Sequence, residues 1–398
     1  MKRQSKFKQV FLGALAALSF AACNKAPLYP MAPGVQMGMQ QNFRSFANAR
    51  SSVSNPAGTI ELSFVNAYGR SALENEQISR KDPNSPAAML IRQIQSARKS
   101  LDGSFYDIDN EDIVKAFIAA KKRGIQVRMV TDTDNMTAKN TGPTGPARPA
   151  IVALQQAGIP VVDDKRSGIM HNKFLVIDGL RVWTGSTNLT NTSLYQHNNN
   201  ALTLVSPQLA ASYTAEFERL FTHKLFGPNP PRQVPYPSVQ IGTTQVNVFF
   251  SPRGGGQQAV LQELQSARQR ILFMTFSLTD KTAGEIIQQK MAQGLQVEGV
   301  FDSWLGASQY SLFNPLKESG LNVRKDGNEA LLHHKVIIVD NTVITGSYNY
   351  SANAENSNNE NFLIIKNAPE IAQAYIEEYQ RIRRISRPGV AKPSVLKN

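Results

Sequence analysis

The chain has 398 residues, 41% apolar and 8% aromatic, a globular composition long enough for two ordinary domains, which excludes a disorder-dominated protein. Its formal net charge is +13, yet residues 1–60 hold seven Lys/Arg and no acid, residues 381–398 hold six and no acid, and the body between them is neutral, with 30 basic against 30 acidic residues. Net charge therefore does not establish a nucleic-acid function, because the terminal clusters suit anionic lipid equally well.

The chain starts MKRQSKFKQVFLGALAALSFAAC: four basic residues, an apolar run from Val10 to Ala22, and small residues before Cys23. That three-part layout is a secretory signal, too short to persist as a membrane-spanning helix. Phe20-Ala21-Ala22-Cys23 resembles the lipobox of bacterial lipoproteins, with Phe20 where Leu is commoner. The resemblance implies removal of residues 1–22, acylation of Cys23, and an exported protein anchored by lipid to the bacterial cell envelope. Asn24 stands where the usual inner-membrane retention signal is Asp, which implies the outer membrane if the source is Gram-negative. Cys23 is the sole cysteine, so disulfides cannot stabilise the exported fold. Residues 23–58 have no period and are rich in Pro, Gly, Gln, Asn and Ser, as a flexible tether is.

From Thr59 the pattern becomes regular. TIELSFV predicts a strand, SPAAMLIRQIQSARKSL a helix, GSFYDI a strand, NEDIVKAFIAAKKRG a helix and IQVRMVTD a strand. A Gly/Pro-rich loop follows, then helix AIVALQQAG, strand IPVVDD, the phrase MHNKFLVIDGLRVWTGSTN, strand ALTLV and helix PQLAASYTAEFERLF. After the Pro-rich stretch 226–240 the order recurs: strand TQVNVFF, helix QQAVLQELQSARQRI, strand LFMTFSL, helix AGEIIQQKMAQG, strand LQVEGVFD, helix SLFNPLKESG and strand LNVRKDG. The phrase LLHHKVIIVDNTVITGSYN, strand FLIIK and helix PEIAQAYIEEYQRIRRI complete it. Alternating helices and strands predict an α/β fold with mixed sheets. The chain thus reads as a tandem duplication, with halves at 59–225 and 241–385, a linker at 226–240 and a basic tail at 386–398. One motif per half suggests one site shared at a pseudo-twofold axis.

Each motif carries H-x-K, an aspartate five residues after the lysine, and G-S-x-N: His171, Lys173, Asp178, Ser186 and Asn188, then His333, Lys335, Asp340, Ser347 and Asn349. Histidine and lysine two apart on a strand point to one face, and a purely structural strand has little use for either. H-x-K-x4-D with G-S-x-N, twice in one chain, resembles the phospholipase D superfamily of phospholipases, cardiolipin synthases and hydrolases, and endonucleases. The resemblance spans about residues 60–385 and implies two mixed sheets flanked by helices around one active site.

A phosphodiester needs a nucleophile, an acid for the leaving oxygen and positive donors around the phosphoryl oxygens. Facing halves let His171 and His333 divide the first two roles, with Lys173, Lys335, Asn188 and Asn349 holding the non-bridging oxygens. No metal or other cofactor is then needed, and Asp132 and Asp134 in TDTDN suit helix capping. The family resemblance implies a phosphohistidine resolved by water or an alcohol. It makes Asp178 and Asp340 mainly structural and leaves Ser186 and Ser347 as phosphate or turn hydrogen-bonders.

Glu360 stands where the family carries a carboxylate that orients a catalytic histidine, whereas the first half has Asn199 there. A carboxylate favours the protonated acid and an amide the neutral nucleophile. If Glu360 serves its own half, His171 is the nucleophile and His333 the acid; pairing across the axis reverses them by this rule. His197 lies close to Asn199, which opens a substrate-side role beside a plainer structural one. The predicted function is a metal-independent phosphodiesterase, acting as a monomer on phospholipid or else on nucleic acid, with a non-catalytic surface scaffold as the third reading.

Overall fold

The computed structural model of the chain describes residues 52–388 apart from 69–70, 140, 143 and 229–232. The predicted signal peptide, Cys23, most of the tether and most of the basic tail lie outside them.

The first half builds a sheet from β1 (Ser52–Ser54), β2 (Ile60–Phe64), β3 (Ser100–Phe105), β4 (Gln126–Thr131), β5 (Val161–Asp163), β6 (Lys173–Ile177), β7 (Arg181–Gly185) and β8 (Asn200–Val205). These bond in the order β1-β2-β8-β7-β6-β3-β4-β5. The second half builds β9 (Ser238–Ile241), β10 (Thr244–Ser251), β11 (Arg270–Thr275), β12 (Gln296–Phe301), β13 (Asn322–Lys325), β14 (Lys335–Val339), β15 (Thr342–Gly346), β16 (Glu360–Lys366) and a two-residue β17 (Arg387–Pro388). Their order is β17-β13-β12-β11-β14-β15-β16-β10-β9. Apart from β17, every strand of the first sheet has its counterpart eight places later, in the same position. In each sheet the first three strands after the entry hairpin, β3-β4-β5 and β11-β12-β13, are parallel, and the crossovers are helical. The motif hairpins β6-β7-β8 and β14-β15-β16 are antiparallel. The predicted duplicated α/β fold with two mixed sheets is the observed one.

The runs KFLVI (β6) and KVIIV (β14) are buried along their whole length, as strands covered on both faces must be. Helices Pro207–Phe221 and Pro369–Ile385 start with proline, whose missing N–H costs nothing in a first turn. They send Tyr213, Phe217, Tyr375 and Tyr379 into one core with Phe174 and Val176 of the first sheet and Phe250, Val336 and Ile338 of the second. Two smaller cores lie one per half.

Three local expectations need correction. Ser52–Ser54, within the predicted tether, pairs with Glu61–Ser63 as β1, because Asn55 Oδ1 accepts the N–H of Thr59 and Ile60 and closes a hairpin. The last residues of the predicted linker form β9, paired with β10 around Gly242 at φ 61°. Helix Ala72–Lys81 lies where no element was predicted. It buries Asn75 and Ser79 and so has no apolar stripe to detect, yet Ser71 and Glu74 form a capping box that marks its start.

Candidate active site

Backbone pairing across the axis comes first. Met170 bridges to Asn359 and Asn198 to Leu332. His171 N donates to Asn359 O at 2.8 Å, and His333 N donates to Asn198 O at 3.0 Å. Each motif histidine is thus hung on the chain of the other half. A carboxylate at the end of the neighbouring parallel strand aims each segment: Asp132 Oδ2 accepts Met170 N at 2.8 Å, and Asp302 Oδ2 accepts Leu332 N at 3.1 Å. Asp132 also caps its short helix, accepting Asp134 N, as predicted. Asp302 went unpredicted, although the phrases VTD and VFD end the paired strands β4 and β12 alike.

The side chains repeat the crossing. His171 Nδ1 meets Glu360 Oε2 at 2.7 Å, while His333 Nδ1 meets Asn199 Oδ1 at 3.0 Å. Pairing within one half is therefore excluded, and Glu360 serves His171. Ser347 Oγ donates to the same Glu360 oxygen at 2.6 Å, and Ser186 Oγ donates to Asn199 Oδ1 at 2.7 Å. Both hydroxyls also accept a strand N–H, from Asn361 and Asn200. The serines thus orient the histidines' partners and brace the turn. Asn199 Nδ2 donates to Ser193 O and Oγ, which leaves Oδ1 to accept from His333. Both histidines therefore carry hydrogen on Nδ1 and keep the Nε2 lone pair when neutral.

Lys173 and Lys335 each donate from Nζ to the carbonyl of their own histidine at 2.9 Å. Their ammonium groups lie over Tyr106 and Phe276, and those same rings pack edge-on against His171 and His333. Both lysines are buried with the histidines. Asn188 and Asn349 present enclosed amide oxygens with no hydrogen-bond partner among the described residues. Burial pushes the His171 pKa down to about 4, with Glu360 opposing and Lys173 and Lys335 adding to the shift. Burial likewise lowers His333, reinforced by Lys335, His197 and Lys173. The resting imidazoles are therefore neutral at pH 7, in a field that favours an anion.

Asp178 and Asp340 stand apart from this cluster. Each occupies a left-handed turn, at φ 58° and 53°. Asp178 accepts the N–H of Arg98, Lys99 and Ser100, and Asp340 those of Arg268, Gln269 and Arg270. Among the described residues, no three His, Cys, Asp or Glu side chains converge as metal ligands do.

Fold and site together define a duplicated α/β protein with one anion-receptive cluster of two histidines, two lysines and two asparagines, completed across an internal axis. The chain belongs to the family described as cardiolipin synthase, PLD-like domain, whose model matches residues 90–221 and 260–383. It is similar to the mitochondrial cardiolipin hydrolase of Xenopus laevis, 33% identical over 138 residues, or 35% of this chain and 62% of that one. It is also similar to a phospholipase D of Rickettsia prowazekii, 29% identical over 197 residues, 49% of this chain and 89% of the relative. Among solved structures, the phosphatidylserine synthase of Haemophilus influenzae shares the fold, with a TM-score of 0.61 and 15% identity over 88% of this chain and 91% of that one.

Proposed function

We propose that the protein is a phosphodiesterase of the phospholipase D type that hydrolyses or transfers a phosphatidyl group through a phosphohistidine on His171. The observation that carries this reading is the crossed pairing, Glu360 on His171 and Asn199 on His333. It makes one site from two half-sites, with an imidazole available on each side of a phosphorus for in-line displacement.

The crossed pairing invokes the rule that a carboxylate partner makes the acid, but burial leads the causes at both histidines, so resting charge does not separate them and the charge formed on attack does. Burial, not Glu360, dominates the His171 pKa, so the ring rests neutral with its Nε2 pair ready. Attack then turns it into a phosphorylated imidazolium in a buried place, where only the ring facing a carboxylate has its new positive charge offset. The bound anionic diester favours a His333 that has taken a proton from solvent on Nε2; that ring gives the Nε2 proton to the leaving oxygen, returns to the neutral form, and later takes a proton from the attacking water. Lys173, Lys335, Asn188 and Asn349 supply charge and hydrogen bonds to the phosphoryl oxygens, which is the part a metal would otherwise play.

Phospholipid is the favoured substrate because the relatives are named for cardiolipin and phospholipid hydrolysis and because the N-terminus suits an acylated Cys23 on a membrane. The test is an assay of mature protein in EDTA on phosphatidylglycerol, phosphatidylcholine and cardiolipin vesicles beside single- and double-stranded DNA. Lipid cleavage is expected. Cleavage of DNA alone would establish the nuclease reading, and a strict need for added metal would overturn the lysine-based account. Cys23→Ser is expected to move the protein out of the membrane fraction; unchanged fractionation would refute the anchor.

A further inference from the structure

A third histidine faces the second motif. His197 lies between helix Asn191–Tyr195 and β8, and its ring centroid is 5.9 Å from that of His333. The residue is half-buried. Its Nδ1 is enclosed without a hydrogen-bond partner among the described residues, while Nε2 is neither enclosed nor bonded to protein. Buried polar atoms are normally paired, so an unsatisfied one beside a reactive group calls for an explanation. The internal repeat sharpens the point. His197-Asn198-Asn199-Asn200 matches Asn358-Asn359-Glu360-Asn361 in the second half, and there Asn358 Nδ2 spends its hydrogen bond on Glu360 Oε1 at 3.2 Å. The His171 side uses this position to hold the carboxylate. The His333 side keeps an imidazole with an uncommitted nitrogen.

We propose that His197 is a specificity-determining residue that accepts a hydrogen bond from a hydroxyl of the alcohol leaving from, or arriving at, the His333 side. Its neighbours decide the kind of group it takes. Burial, then the charges of Lys335 and Lys139, hold its pKa down to about 3, so the ring is neutral and can accept from a hydroxyl. Lys139 is itself kept in place by Asp109 at 3.3 Å and Asp107 at 3.8 Å. A quaternary ammonium offers no hydrogen for the ring nitrogen to accept, whereas a polyol offers several. The inference rests on the proposed reading that His333 faces the leaving alcohol.

The reverse half of the reaction isolates the effect. In transfer, the alcohol oxygen forms a bond to phosphorus as the bond to His171 Nε2 breaks and its electron pair returns to the ring; the alcohol proton passes to His333. Wild-type protein is given bis(4-nitrophenyl) phosphate with equal concentrations of glycerol and 1-propanol, and the two ester products are quantified by mass spectrometry. Both arise from one intermediate, so their ratio does not depend on how fast that intermediate forms. Wild type is expected to favour the glyceryl ester by about three- to tenfold, the worth of one neutral hydrogen bond. His197→Phe keeps a ring and should abolish the preference, while His197→Gln keeps an acceptor and should restore part of it. An unchanged ratio in His197→Phe, or no glycerol preference in wild type, overturns the proposal while nitrophenolate release leaves the phosphodiesterase reading standing. No nitrophenolate from wild type overturns that reading and this inference with it.

Discussion

At the residue scale the two histidines look alike until their partners are compared, and under the proposed mechanism the partners separate their duties. In that mechanism His333→Asn removes the acid and the later base but leaves the nucleophile. With a labelled nitrophenyl diester it should give a single burst of nitrophenolate and leave the label on His171, because an activated leaving oxygen needs no proton. Label recovered from His333 in wild type would reverse the assignment. Glu360→Gln should instead slow the burst with activated and poor leaving groups alike, on the order of 10²-fold, since it removes charge stabilisation of the imidazolium. The expected pH profile follows from the same proposed roles. His171 must be neutral, and its pKa is lowered to about 4, so cleavage of an activated diester should stay flat from neutral pH to about pH 5 and fall only in stronger acid. A diester with a poor leaving group needs His333 protonated, so its rate should decline as pH rises. Coincident profiles would show that the leaving group does not depend on His333. The residue types that the fold gathers were legible in the sequence, because His, Lys and Gly-Ser-x-Asn recur twice in register. Which histidine Glu360 serves was not, since a spacing of 27 residues along the chain does not say that the carboxylate bonds to a residue 189 positions away.

At the element scale, the motif's aspartates and glycines shape the strands that carry the reactive groups. A Cβ at Gly185 would lie 2.3 Å from Asn200 O, and one at Gly346 would lie 2.4 Å from Asn361 O. The glycine therefore lets β7 and β15 approach the strand that bears the histidine's partner. Asp178 takes three consecutive N–H groups at the entry to β3, which is why the helix ends at Ser96 and the strand starts at Ser100, three residues before the predicted GSFYDI. The apolar period alone could not locate that boundary, because SARKSL carries little periodicity and the capping group is 80 residues away. Asp340→Ala should cost about 2 kcal/mol in denaturant unfolding through the lost charge-assisted hydrogen bonds while leaving KM for an activated diester unchanged. A raised KM with unaltered stability would instead put Asp340 in contact with substrate.

At the scale of the whole molecule the duplication joins the two motifs as well as repeating the sheet. Buried amides tie the halves together: Asn361 Oδ1 accepts Lys173 N and its Nδ2 donates to Thr184, while Asn200 binds His334, Thr345 and Tyr375. With the central core drawn from both sheets, these bonds hold the two motifs together, and under the proposed function neither half is a complete site. His171→Ala and His333→Ala should each abolish turnover. Mixing the two inactive variants, including after joint unfolding and refolding, should restore none, because each intact half is covalently tied to a disabled one. Recovery of activity in the refolded mixture would mean that halves exchange between chains, as in a domain-swapped dimer, and that the site is not confined to a monomer. Substantial activity in either single variant would go further and mean that one histidine suffices, which an in-line reaction needing a nucleophile on one side and an acid on the other does not allow.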